Sequence, residues 1–223
     1  MNSPAVNQIP KWDKHMARLV RRIGPLNFIP AKERTLFAAL TKSVIGQLLS
    51  RSAAKSILNR LTDQLPSGHV LIPAEVLELP ESTLRSAGLS ATKSATVREL
   101  ARKAVDGLLP GPDRLQSMSD EEIIQELIAI KGIGRWTVEM LLIFTLGRQD
   151  VLPAGDLGVR KGFALTYRRK ELPTSKELLA HGEKWRPYRT TAALYLYEAV
   201  HVPEPVPGVK LVRMSRKGNA APP

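Results

Sequence analysis

The sequence contains no cysteine, which excludes disulfides, thiolate zinc sites and cysteine-ligated iron–sulfur clusters together. Histidine is scarce: His15, His69, His181 and His201 are scattered without ligand spacing and read as surface or satisfied, partly buried side chains. No uninterrupted apolar run is long enough to span a bilayer, and no basic region followed by an apolar signal core opens the chain. The expectation is a soluble intracellular protein with no membrane partner. Alternating strand patterns and internal repeats are missing too, which leaves an all-α architecture. Acidic residues are in deficit, 21 Asp and Glu against 33 Lys and Arg. The resulting charge of +12 and pI near 10.2 favour a polyanion without identifying one. With 43% hydrophobic residues in 223, the chain can bury a core as one helical domain or two interlocked lobes.

What is present is helix. Apolar periodicity predicts helices near 12–23, 31–49, 51–65, 72–78, 81–87, 91–108, 119–130, 134–147, 157–167, 174–184 and 187–200. Ser119 with Glu122, and Thr174 with Glu177, have the spacing of capping boxes. Residues 1–10, with Pro4 and Pro10, read as an arm, 11–201 as the helical domain, and 202–223 as a basic, proline-containing tail.

The most informative segment is Ile130-Lys131-Gly132-Ile133-Gly134-Arg135-Trp136-Thr137. Ile123, Ile124, Leu127 and Ile130 before it, and Val138, Leu141, Leu142 and Thr145 after it, fall at helical spacing. Gly132-Ile133-Gly134 is therefore a tight turn in a helix-hairpin-helix. Two glycines let backbone approach a phosphate, and the second helix aims its N-terminal N–H groups at that anion. Such a hairpin grips a nucleic-acid strand without reading its sequence. Twenty residues beyond Trp136, Asp156 stands in Leu-Pro-Ala-Gly-Asp-Leu-Gly-Val-Arg, before a helix it is placed to cap.

These blocks, with Ser43-Val44-Ile45-Gly46-Gln47-Leu48-Leu49-Ser50, Ala53-Ala54, Gly88-Leu89-Ser90 with Lys93, Trp185-Arg186-Pro187-Tyr188-Arg189 and Tyr197, resemble the helix-hairpin-helix DNA glycosylases of the 3-methyladenine DNA glycosylase II type. The resemblance covers about residues 31–200 and implies a two-lobed helical bundle with an active-site cleft between the lobes. It also implies a compact form without the N-terminal β domain of longer relatives.

The resemblance makes Asp156 the catalytic carboxylate. Breaking an N-glycosidic bond builds positive charge on the deoxyribose, which a fixed carboxylate stabilises while it orients or deprotonates the attacking water. Capping and catalysis are compatible roles. Relatives that also cleave the backbone carry a Schiff-base lysine where this chain has Trp136. Water is thus the expected nucleophile and the enzyme monofunctional. Trp136 and Tyr197 are candidates for the aromatic faces of a base pocket, attracting cationic bases such as 3-methyladenine and 7-methylguanine, though both also fit as core packing. Met140 and Leu157 replace aromatic residues of the family pattern, so the pocket is expected to be roomier.

Lys131, Gly132, Ile133, Gly134, Arg135 and Thr137 form the expected DNA-binding hairpin, and Gln47 and Leu48 the wedge that fills the hole left by a flipped base. A core role is the ordinary alternative for Leu48. The carbonyls of Ile128, Ile130 and Gly132 match positions that hold a monovalent cation, Na+ or K+, in the family. No other cofactor and no iron–sulfur cluster is expected. The partner is double-stranded DNA containing damaged bases and the protein a monomer, in a bacterial cytoplasm at the nucleoid or in a nucleus. Two other readings stay open: a non-catalytic helix-hairpin-helix DNA-binding protein, and a glycosylase for mismatched, deaminated or oxidised bases.

Overall fold

The computed structural model describes residues 13–26, 28–31, 33, 35–68 and 70–202; the arm at 1–10, His69 and the tail from 203 onward lie outside the described residues. Among the described residues there is no β-strand, in keeping with the all-α expectation. In chain order the α-helices are α1 (Lys14–Ile23), α2 (Leu36–Gly46), α3 (Arg51–Thr62), α4 (Pro73–Glu78), α5 (Glu81–Ser86) and α6 (Ala91–Val105). Then come α7 (Pro112–Ser117), α8 (Asp120–Ile128), α9 (Arg135–Phe144), α10 (Leu157–Thr166), α11 (Ser175–Gly182) and α12 (Arg189–Ala199), with a 3-10 turn at Glu183–Trp185.

The boundaries follow local chemistry. The helix expected over 31–49 starts only after Thr35, whose hydroxyl accepts the Ala38 N–H at 3.1 Å, and stops at Gly46. Both expected capping boxes form, with each hydroxyl and carboxylate satisfying an N–H left open at a helix start. Helix α7 was not expected. Its signal is Gly111-Pro112, proline in the first turn with its missing N–H harmless there, but only Leu115 of this one-and-a-half-turn helix is buried.

The described residues fall into two compact units, one over Pro30–Gly147 and the other assembled from the stretches up to Ile29 and from Arg148 on. In the first, α2 packs on α6 and α9, and α9 on α8. Phe37, Leu40, Val44, Ile45, Val97, Leu100, Ile123, Leu127, Leu141 and Leu142 are buried there, each worth about 1.5–3 kcal/mol relative to exposure.

In the second unit α1, α10 and α12 enclose Met16, Phe163, Trp185, Tyr195 and Leu196. Helices α10 and α12 pack closely because residue 162 is glycine: a Cβ there would stand 1.7 Å from the Leu196 carbonyl oxygen. Asp13 fastens α1 to this core. It accepts the His15 N–H at 2.8 Å, the Lys184 ammonium at 2.6 Å and the Tyr167 hydroxyl. Burial pulls its carboxyl upward, but the bonds from Lys184, Tyr167 and His15 outweigh that and hold it at about 2.

Candidate active site and DNA-binding hairpin

In the first unit, Ile130 before the turn and Ile133 within it are both only 4% exposed, so the core holds the turn at both points. The Ile133 N–H donates to the Ile130 carbonyl at 3.0 Å, and Gly132 takes φ +91°, a conformation that requires glycine. Gly132 is also crowded: a Cβ there would lie 2.0 Å from the Thr96 hydroxyl oxygen. Gly134 differs. It N-caps α9 at φ −101° with no heavy atom within 4 Å of a Cβ position, so nothing inside the protein demands glycine. An external group that approaches the backbone there would.

No side chain caps α9, which leaves its positive dipole end for an anion. Lys131 is exposed at the turn. Other side chains of the expected DNA-binding set are engaged within the protein. Arg135 is bound to Glu121 at 2.6 Å and lies 3.9 Å from Glu139; the Glu121 bond raises its pKa, and half its side chain remains exposed with further N–H donors. The side chains of Ile133 and Thr137 are buried, which leaves only their backbone for a strand. Gln47, expected beside Leu48 as wedge, instead donates from Nε2 to the Thr137 hydroxyl at 2.9 Å and, at 3.5 Å, to the Gly132 carbonyl. It is a strut to the hairpin.

Leu48 does not take the core alternative. It is fully exposed, 103% relative to a reference chain, and holds φ +59°, which costs a leucine about 1–2 kcal/mol. A strained, solvated leucine stabilises nothing within the chain, as expected of a residue shaped for a ligand. Trp136 and Met140 lie one turn apart on α9, both half-buried.

In the second unit the segment before Asp156 is fixed by side chains to which the sequence assigned no role. The buried Thr190 hydroxyl accepts the Val151 N–H at 3.0 Å and donates to the Arg148 carbonyl at 2.7 Å. Arg189 Nε donates to Asp150 at 2.8 Å, and Arg186 also binds Asp150. Ser175 Oγ donates to the Ala154 carbonyl at 3.1 Å. The half-buried Asp156 then caps α10, its Oδ1 accepting the Val159 N–H at 2.8 Å. The cap is thus real, and it fixes the carboxylate rather than competing with a catalytic use of it.

Tyr197 and this carboxylate both border Gly158. A Cβ on Gly158 would come within 2.8 Å and 2.9 Å of the Tyr197 ring and 3.1 Å of Asp156 Oδ1, so a side chain at this position would crowd both. Its neighbour Tyr195 is the core tyrosine, fully buried with its hydroxyl on the Gly24 carbonyl at 3.0 Å, whereas Tyr197 is 36% exposed. Leu157, 52% exposed, adds no aromatic face. Among the described residues no cluster of His, Asp and Glu is arranged to hold a metal ion, and no helix is long and apolar enough to cross a membrane.

This hairpin, followed by an aspartate fixed at a helix start, is the arrangement of the HhH-GPD superfamily of base excision DNA repair proteins. Residues 41–187 match that family, and the chain belongs to it. Among its relatives, DNA-3-methyladenine glycosylase 1 of Schizosaccharomyces pombe is 38% identical over 189 residues, covering 83% of this chain and 82% of that one. The structure of a 3-methyladenine DNA glycosylase from the same yeast in complex with abasic DNA superposes with a TM-score of 0.81 at 36% identity, covering 88% of this chain and 96% of that one. A DNA-3-methyladenine glycosidase from Bacillus halodurans gives 0.75 at 35% identity, with 89% of each chain covered.

Proposed function

We infer that the protein is a monofunctional DNA glycosylase that hydrolyses the N-glycosidic bond of alkylated bases in duplex DNA, the first step of base excision repair. The observation that carries this reading is the Asp156 carboxylate, held by its cap next to Gly158, which the exposed Tyr197 ring also borders. The hairpin takes phosphate, Leu48 fills the stack, and the damaged nucleotide leaves the helix. As the C–N bond breaks, its electron pair departs with the base and Asp156 stabilises the oxocarbenium-like sugar. Water adds to the anomeric carbon, and its proton passes through the carboxylate to solvent. The product is an abasic site.

A base carrying positive charge leaves readily and is attracted by aromatic faces, so it needs little general-acid help. Trp136, where lyase relatives carry an amine, supports hydrolysis without strand cleavage. The carbonyls of Ile128, Ile130 and Gly132 are neutral oxygen donors, a set suited to a hard monovalent cation at the turn rather than to a transition metal. The protein acts as a monomer on damaged double-stranded DNA, at a nucleoid or in a nucleus.

Duplexes each carrying one lesion test the reading, scored for base release and then for strand breakage with and without alkali. Release of 3-methyladenine and 7-methylguanine well ahead of hypoxanthine and 1,N6-ethenoadenine is expected, with breakage only after alkali. Faster hypoxanthine release would contradict the charge-selection argument, and binding without any release would make the protein a non-catalytic hairpin module.

A further inference from the structure

The wedge loop and the hairpin are fastened to one helix and to each other. On α6, Lys93 and Thr96 lie one turn apart on the same face. Lys93 Nζ donates to the carbonyls of Ile45 and Gln47, both at 2.8 Å. These oxygens lie at the C-terminal end of α2, where a helix presents its negative pole and a cation is best placed. The chain then turns through Leu48, and the Leu49 N–H closes back on Gly46 at 3.2 Å. Thr96 occupies the space beside Gly132 of the hairpin. Gln47 closes the circuit, its backbone held by Lys93 and its side chain bound to Thr137 on the first turn of α9.

We propose that Lys93 and Gln47 are positioning residues that mount Leu48 rigidly on the hairpin, so that gripping the phosphate and inserting the wedge occur as one event. Neither touches the reacting atoms. The ammonium holds the two carbonyls whose orientation forces Leu48 into its left-handed, outward conformation, and the amide transmits the position of the hairpin to that loop. Ordinary helix capping would require the bonds from Lys93 but would not explain why a strained leucine is displayed beside them, nor why the side chain of the preceding Gln47 is anchored to the hairpin.

This proposal rests on the wedge reading of Leu48, and the test separates the two. Full-length Lys93→Met, Thr137→Val and Leu48→Gly variants are compared well below their melting temperatures, with 2-aminopurine beside the lesion to report flipping. The proposal expects undamaged-duplex affinity within about twofold of wild type for Lys93→Met, but a flipping equilibrium lowered by about tenfold or more, the scale of one lost positioning interaction. Lys93→Arg, which can still donate twice, should restore part of it. Thr137→Val, which cuts the strut from the hairpin side, should show the same loss of flipping. The combination of Lys93→Met with Leu48→Gly should be no worse than Leu48→Gly alone. Normal flipping in Lys93→Met while Leu48→Gly is impaired, or multiplied defects in the double variant, would overturn the mount and leave the wedge standing. Normal flipping in Leu48→Gly would overturn both.

Discussion

Two glycines two residues apart separate folding from DNA binding. Gly132→Ala places a side chain at φ +91°, which costs about 1–2 kcal/mol, and drives a methyl to 2.0 Å from Thr96, an overpacking that costs about 1–3 kcal/mol more. The expected destabilisation is about 2–5 kcal/mol, or roughly 4–20 °C in melting temperature for a chain of this size. Gly134→Ala meets no neighbour at φ −101°, and alanine there adds about 0.4–1 kcal/mol by restricting the unfolded chain. On the phosphate-grip proposal its methyl would stand in the path of the phosphate. Losing one or two charge-assisted bonds should weaken undamaged and damaged duplex alike by about tenfold or more, with the salt slope falling by about one phosphate. Thermal melts with anisotropy titrations at several salt concentrations measure both. A Gly134→Ala protein that melts like wild type and also binds like it at every salt concentration would refute the hairpin's phosphate grip.

Gly158→Ala tests the pairing of Tyr197 with Asp156: the ring must move, and excision should fall by about ten- to a hundredfold while undamaged-duplex affinity is unchanged. Equal single-turnover rates would remove Tyr197 from the site. Asp13 makes the second unit acid-sensitive. Its folded carboxyl titrates at about 2 against an ordinary 3.8, so its contribution of about 2 kcal/mol is present above pH 4 and lost as pH falls towards 2. In Asp13→Asn, stability measured by denaturant should be lower at neutral pH and should converge on wild type near pH 2; an unchanged gap across that range would contradict the assignment.

Much of this fold is legible in the sequence, because α6 and α8 each bury one stripe at helical spacing, while α2 and α9 are apolar enough to be buried nearly all round. Capping residues fixed the starts of α8 and α11 for the same local reason. Interactions between distant positions were not legible. Nothing in the neighbourhood of Arg135 announces that Glu121, fourteen residues earlier, binds it, or that Thr96 fills the space beside Gly132. Gly132 reads correctly as a turn glycine, while Gly134 reads identically and has a different physical reason for being glycine. The alternation Leu194-Tyr195-Leu196-Tyr197 could not say which tyrosine faces out; the close passage of α12 over Gly162 decided it. Leu48 is a wedge candidate by resemblance, and its left-handed backbone and full exposure, which no periodicity shows, exclude the core alternative.

The central claim is that Asp156 stabilises charge at the transition state as well as capping α10, and Asp156→Asn separates these roles because asparagine caps about as well as aspartate. Single-turnover release of 7-methylguanine from duplex DNA should fall by roughly two or more orders of magnitude, with melting temperature and DNA affinity close to wild type. A rate within tenfold of wild type would contradict the account.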